Sequence, residues 1–139
     1  MIVLDTNVVS ELMKPSPDAP VARWLQGLGT TPLATTVITI AEITYGLHRL
    51  DAGRRRSGLE SRFEQLLDPQ GGLALLSADH FAAREAGRFQ AHRETNGLAA
   101  TPSDMMIAGI AAVAGARLAT RNVSDFTLLP ITTVDPWTS

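Results

Sequence analysis

MIVLDTNVVSEL, residues 1–12, is the stretch whose reading decides the fold. Ile2, Val3 and Leu4 form a short apolar run of the kind that pairs inside a sheet. Asp5 follows at once, and a carboxylate at the end of a buried strand is costly to desolvate unless something binds it. Thr6, Asn7 and further apolar residues then open a second element. In α/β domains with a parallel sheet, functional residues gather at the carboxyl ends of strands, which is where Asp5 falls.

Working outward, Pro15, Pro17 and Pro20 break the chain. Asp18 is an N-cap for a helix running to about Gly27–Gly29. TTPLATT (30–36) reads as turn, short strand, turn. VITIAEITYGLHRL (37–50) is two-sided. Its β-branched residues favour a strand, while its length and the helical spacing of Ile40, Ile43, Leu47 and Leu50 favour a helix, which is the prediction here. Residues 54–67 continue as a charged amphipathic helix ending before Pro69. GGLALLS (71–77) is a short strand, with Ser77 capping a helix over 78–95 that Gly97 closes. Thr101 and Pro102 open a helix from Ser103 to about Val113. ARLAT (116–120) and ITTV (131–134) are the last strands. Strands alternating with helices predict one α/β domain over residues 1–139, a mainly parallel central sheet flanked by helices in an α/β/α arrangement.

Composition agrees with a single packed domain. Of 139 residues, 45% are hydrophobic and 19% charged, enough for a core and too few charges for a disordered chain. No apolar run is long enough to span a bilayer, and no secretory signal pattern opens the chain, so a cytoplasmic location is expected. Cysteine is absent, which excludes disulfides and thiolate metal sites. The net charge of −2 marks no global affinity for nucleic acid. Among the twelve basic residues, however, only Lys14 is a lysine, and Arg54, Arg55 and Arg56 cluster near Arg49 and Arg62. Arginine suits phosphate recognition better than lysine does.

Three further acids need explaining. Glu42 is flanked by Ile40, Ala41, Ile43 and Thr44. Asp104 sits in TPSDMMIAGIAAVAG, a helix apolar nearly all round and so expected to be buried. Asp125 lies in LATRNVSDF, just after a strand. Each has a structural explanation. Asp5 could cap the next helix through the backbone N–H of Asn7 or Val8, Asp104 could complete a capping box with Thr101, Glu42 could pair a buried arginine, and Asp125 or Asn122 could cap a turn. Taken together, carboxylates in apolar surroundings repel one another when brought close, and a divalent cation removes that conflict. Oxygen ligands without cysteine point to Mg²⁺, with Mn²⁺ the other candidate. His48, His80 and His92 have no ligand spacing.

The motifs, in this order, resemble those of the PIN-domain ribonucleases, and in particular the VapC and FitB-like toxins of bacterial type II toxin–antitoxin pairs. MIVLDTNVVSEL is similar to the family's first motif, with Asp5 as its acid; TIAEITYG to the second, with Glu42; TPSDMMIAGIA to the third, with Asp104; and LATRNVSDF to the fourth. Many relatives carry an acid where Asn122 stands, so the fourth position falls to Asp125 or to no acid. The DPW at 135–137 resembles the NPW ending of the FitB-like branch. The resemblance implies metal-dependent hydrolysis of RNA to 5′-phosphate and 3′-hydroxyl ends. Asp5 and Asp104 would hold Mg²⁺, and Glu42 would hold a second ion or orient the attacking water. Thr6, Asn7, Thr120 and Asn122 would hold carboxylates and waters in place, and Arg121 would meet the phosphate. It also implies a homodimer silenced by a small antitoxin. The large apolar residues Tyr45, Leu47, Leu59, Phe63 and Leu66 either mark such an interface or finish the domain's own core.

Other classes fit less well. A haloacid-dehalogenase-like domain wants a second Asp where Asn7 stands and a late lysine, and a receiver domain wants the same lysine. A DNA-binding module wants a basic recognition helix. The alternative from another class is a PIN-like protein with weak or no nuclease activity that acts by binding nucleic acid or protein.

Overall fold

The computed structural model describes residues Met1–Ser139. Five strands, β1 (Ile2–Leu4), β2 (Leu33–Thr36), β3 (Leu73–Leu76), β4 (Arg117–Ala119) and β5 (Thr133–Val134), form one sheet in the order β3-β2-β1-β4-β5. Every pairing is parallel, with Ile2 opposite both Leu33 and Arg117. Six helices connect and cover the strands: α1 (Thr6–Leu12), α2 (Ala19–Gly27), α3 (Val37–Arg49), α4 (Arg54–Leu67), α5 (His80–Thr95) and α6 (Pro102–Val113). The chain builds outward from β1 to β3 and then crosses back to β4 on the other side of β1. That reversal makes the carboxyl ends of β1 and β4 a topological switch point, where open α/β sheets leave a crevice. No helix is long and apolar enough to cross a membrane.

Successive strand residues point to opposite faces, and the core divides accordingly. Val3 and Leu118 face α5 and α6 through Phe89, Met105, Ile107 and Ala108. Ile2, Leu4 and Ala119 face α1, α3 and α4 through Val8, Val9, Ile43, Leu47 and Phe63. The α5–α6 contact is close at Gly109, where a methyl group would run into the Ala82 carbonyl.

The two-sided stretch 37–50 is a helix. Thr36 ends β2 in extended conformation, and its Oγ1 accepts from the Thr39 N–H at 3.2 Å, capping α3 within one residue of the strand. Ile43 and Leu47 then fall on the buried face. One expectation needs correction. The N-cap of α5 is Asp79, whose Oδ1 accepts from the Ala82 N–H at 2.9 Å, and the helix starts at His80. A carboxylate two residues further on out-competes the Ser77 hydroxyl. Of the two readings left open for the large apolar residues of 37–67, completing the domain's own core holds for four of the five. Leu47 and Phe63 are buried, Leu59 and Leu66 half-buried against the same core, and Tyr45 alone stays well exposed, at 65%. Stacking α3 and α4 on the sheet consumes these side chains.

Candidate active site

Asp5 is placed by the sheet before it is placed by chemistry. Its N–H donates to the Ala119 carbonyl at 2.9 Å, so the β1–β4 pairing carries it to the switch point. The chain then turns into α1, and the Asp5 side chain caps that helix through the Thr6 N–H at 2.8 Å rather than through Asn7 or Val8. Its other oxygen accepts from the Thr120 hydroxyl at 2.7 Å. The capping role and the buried site are therefore one arrangement. Asp5 is 5% exposed, and burial pushes its carboxyl above the usual value of 3.8. The Thr120 and Thr6 hydrogen bonds oppose the rise, and the charges of Asp104 and Glu42 add to it.

The other acids arrive from three directions. Asp104 enters on the first turn of α6, where its N–H donates to the capping Thr101 Oγ1 at 3.2 Å. The capping box and a place in the cleft again coincide. Burial raises the Asp104 carboxyl, and Asp125 raises it further, against a Thr101 hydrogen bond and the charge of Arg93. Glu42 comes from α3 and is exposed, a correction to the apolar surroundings its neighbours suggest, because Ile43 turns inward while Ala41, Glu42 and Thr44 lie on the open face. No arginine pairs with it; the Thr6 hydroxyl donates to its Oε1 at 2.9 Å. Thr6 Oγ1 also lies 3.1 Å from the Thr39 hydroxyl, which couples α1 to α3 beside the acids. Asp125 sits exposed in a short 3-10 turn, Val123–Phe126, after β4. Its N–H donates to the Asn122 carbonyl, and the Asn122 N–H donates to Thr120 Oγ1 at 3.1 Å. Arg121 is tied by its backbone N–H to Asn7 Oδ1 at 3.3 Å.

Eight of the nine expected residues line one cleft of about 420 Å³, and the ninth, Thr120, lies buried beneath Asp5. Sequence reasoning missed Ser10, Glu11, Lys14 and Trp137, which line the same cleft. Glu11 is 4% exposed, with Lys14 Nζ 2.9 Å from one oxygen and the Asp18 N–H 2.9 Å from the other. The signal was present, since Asn7, Glu11 and Lys14 follow the helical spacing of four and three residues that puts side chains on one face. A second groove of about 640 Å³ runs between α1, α3 and α4. Its floor includes Met13, Ile43, Leu47 and Leu59, its rim includes Arg54, Arg55 and Arg62, and it shares Thr6, Ser10, Lys14 and Glu42 with the acidic cleft.

No three acidic or histidine side chains stand close enough to grip one ion among themselves. The donors suit a hydrated ion instead. Mg²⁺ dehydrates reluctantly, keeps several waters and is held by one or two carboxylates. A buried Asp5 that is raised by burial and by the like charges of Asp104 and Glu42 lacks the positive charge such an ion would bring.

Known proteins resemble this chain in sequence and fold over nearly its whole length. A family model described as the PIN domain matches residues 2–127. A VapC ribonuclease of Sinorhizobium fredii is 36% identical over 137 residues, 99% of this chain and 98% of that protein. Toxin FitB of Neisseria gonorrhoeae is 31% identical over 137 residues, 99% of each. A solved structure of FitAB bound to a DNA fragment matches with a TM-score of 0.84 at 30% identity, covering 99% of this chain and 96% of that one. With its parallel sheet, its acidic cleft at the switch point and these matches along its length, the chain belongs to the PIN-domain family.

Proposed function

We propose that this chain is the ribonuclease toxin of a toxin–antitoxin pair, hydrolysing RNA phosphodiesters at the acidic cleft with a divalent cation, Mg²⁺ or Mn²⁺. The observation that carries the reading is Asp5, buried at the switch point with a raised carboxyl among Asp104 and Glu42. Relatives named as a VapC ribonuclease and a toxin support the reaction class and the biological role.

Asp5 and Asp104 would hold the cation, which when bound lowers the pKa of a water and stabilises charge on the scissile phosphate. The protein supplies the positions. Thr120 Oγ1 and the Thr6 N–H each occupy one oxygen of Asp5, fixing the carboxylate plane while leaving further lone pairs toward the cleft. The Thr6 hydroxyl holds Glu42 through Oε1, so Oε2 is the atom free to orient the attacking water and take its proton. Water adds to phosphorus, the P–O3′ bond breaks, and a 5′-phosphate and a 3′-hydroxyl result. Arg121, at the cleft wall, would meet a non-bridging phosphate oxygen. Asn7 Oδ1 accepts from the Arg121 N–H and keeps the segment after β4 against α1, while the Asn122 N–H turns that segment onto Thr120 Oγ1.

The same reading includes a cognate antitoxin and self-association. The 640 Å³ groove opens directly onto Glu42 and Thr6, so a second protein seated there would reach the acids. Incubation of the purified chain with RNA, with and without Mg²⁺, tests the activity through mapped 5′ ends. Co-purification with the product of a neighbouring short reading frame, with size measurement, tests the partner and the dimer. A chain that stays monomeric, and whose cleavage ignores that product, would refute both assemblies.

A further inference from the structure

The DPW ending has no part in the chemistry above, yet it reaches the cleft. Asp135 Oδ1 accepts from the Trp137 N–H at 2.8 Å and turns the chain back after β5. The indole then lines the cleft wall, with the Arg121 guanidinium 4.7 Å from its ring centroid. This is within the roughly 6 Å over which a cation is attracted to an aromatic face. The ring is itself held, because Trp137 Nε1 donates to Asp18 Oδ2 at 3.1 Å. Asp18 stands before α2 but makes no side-chain capping bond, and its own N–H is anchored on buried Glu11.

The consequence lies in what Arg121 does not do. Five carboxylates line the same cleft: Asp5, Glu11, Glu42, Asp104 and Asp125. The ion pairs of the chain are Lys14–Glu11, Arg56–Glu60 and Arg88–Glu85, and Arg121 belongs to none of them. Its hydrogen bonding is confined to its backbone N–H. An arginine beside five acids that pairs with none is being held elsewhere, and the indole face is the group holding it. Its guanidinium donors are left for an anion that enters the cleft.

Building on the ribonuclease reading, we propose that Trp137 is a positioning residue that keeps the Arg121 guanidinium off the cleft carboxylates and presents it to a phosphate of the bound RNA. Removing the indole lets Arg121 collapse onto an acid, which both spends its donors and neutralises a charge the cation needs.

A double-mutant cycle tests this with the full chain. The wild type, Trp137→Leu, Arg121→Ala and the double variant are titrated with a labelled single-stranded RNA of mixed sequence and with bulk transfer RNA. Calcium replaces magnesium to suppress turnover. Arg121→Ala is expected to weaken binding about tenfold and to lower the salt-dependence slope by about 0.7, the value for one phosphate contact on a single strand. Trp137→Leu is expected to weaken binding about fivefold with the same flattening, in line with a cation–π contact, and to add nothing in the Arg121→Ala background. In Mg²⁺ its KM should rise by more than its kcat falls. Trp137→Phe, which keeps a ring but loses the Asp18 bond, should fall between the wild type and Trp137→Leu. It carries the same test if the leucine variant fails to fold. Wild-type binding by Trp137→Leu or Trp137→Phe, or an equal loss with and without Arg121, would overturn the inference while leaving the ribonuclease reading standing. A wild-type chain that binds neither RNA would overturn both.

Discussion

Asp5 and Arg93 are both charged side chains carried into the interior, at 5% and 3% exposure, and they are treated in opposite ways. Arg93 leaves α5 and is surrounded by acceptors. Its Nε donates to the Ala99 carbonyl at 3.0 Å, and its Nη1 to the Thr127 carbonyl at 2.8 Å and the Thr127 hydroxyl at 3.0 Å. These bonds tie α5 to the approach to α6 and to the segment after the 3-10 turn. Asp5 has two donors, and the charges it senses are those of Asp104 and Glu42, which oppose its own. Burial alone therefore does not mark a functional charge. The neighbours do: Arg93 is compensated and holds the fold, whereas Asp5 is left short of compensation where a bound cation would supply it.

The largest effects should separate the two residues cleanly. Asp5→Asn and Asp104→Asn are each expected to lower RNA cleavage by about a thousandfold, the scale of losing a preorganised charge-stabilising group. Their melting temperatures should be unchanged or higher, because like-charge repulsion is relieved. Initial rates in Mg²⁺ beside thermal melts check both halves, and wild-type rates would dissolve the functional side of the comparison. Arg93→Met should do the reverse. It strips the Ala99 and Thr127 carbonyls of a charged donor and is expected to cost about 3 kcal/mol of stability. The midpoint of urea unfolding should fall at constant m-value, and a variant as stable as the wild type would remove Arg93 from the structural side.

Metal sharpens the contrast further. A cation at about a hundred times its dissociation constant should stabilise the wild type by about 2.7 kcal/mol, since it binds only the folded state. Asp5→Asn should lose most of that gain and Arg93→Met should keep it, as differential scanning calorimetry with Mg²⁺ and with chelator would show. Calcium should bind and support little turnover. An equal gain in wild type and Asp5→Asn would place the ion elsewhere.

The smallest expected effect is on pH. The Asp5 and Asp104 carboxyls lie above 3.8 in the folded chain, mainly because of burial. The folded state thus holds these protons to higher pH than the unfolded chain does. Their favourable contribution is complete below the unfolded value and is lost as pH rises through the raised folded values. In metal-free protein, Asp5→Asn should therefore melt above the wild type near neutral pH. That gap should close as pH falls to about 4. Melting curves at stepped pH measure it, and a gap that widens on acidification would contradict the direction of the shift.

Much of this was legible in the chain because its signals are local. Ile2-Val3-Leu4-Asp5 announces a buried strand ending on an acid, and Thr101-Pro102 announces the helix that delivers Asp104. The stretch from Val37 to Leu50 was readable through its length and spacing, because its β-branched residues argue against the helix that tertiary packing favours. The Ser77 cap failed where two capping residues compete within three positions. Other features depend on partners far away in sequence. Arg93 acquires its role from Thr127, and Trp137 from Asp18 and Arg121. Glu42 misled because apolar neighbours along a helix do not imply apolar surroundings for a side chain on its open face.

The central claim is that buried Asp5 serves RNA hydrolysis, and the most direct measurement is sequencing of RNA 5′ ends after brief induced expression of the wild type and of Asp5→Asn. The account predicts new 5′-phosphate ends at defined positions with the wild type and none with the variant, at equal protein levels. The same ends with Asp5→Asn, or no new ends with the wild type, would contradict it.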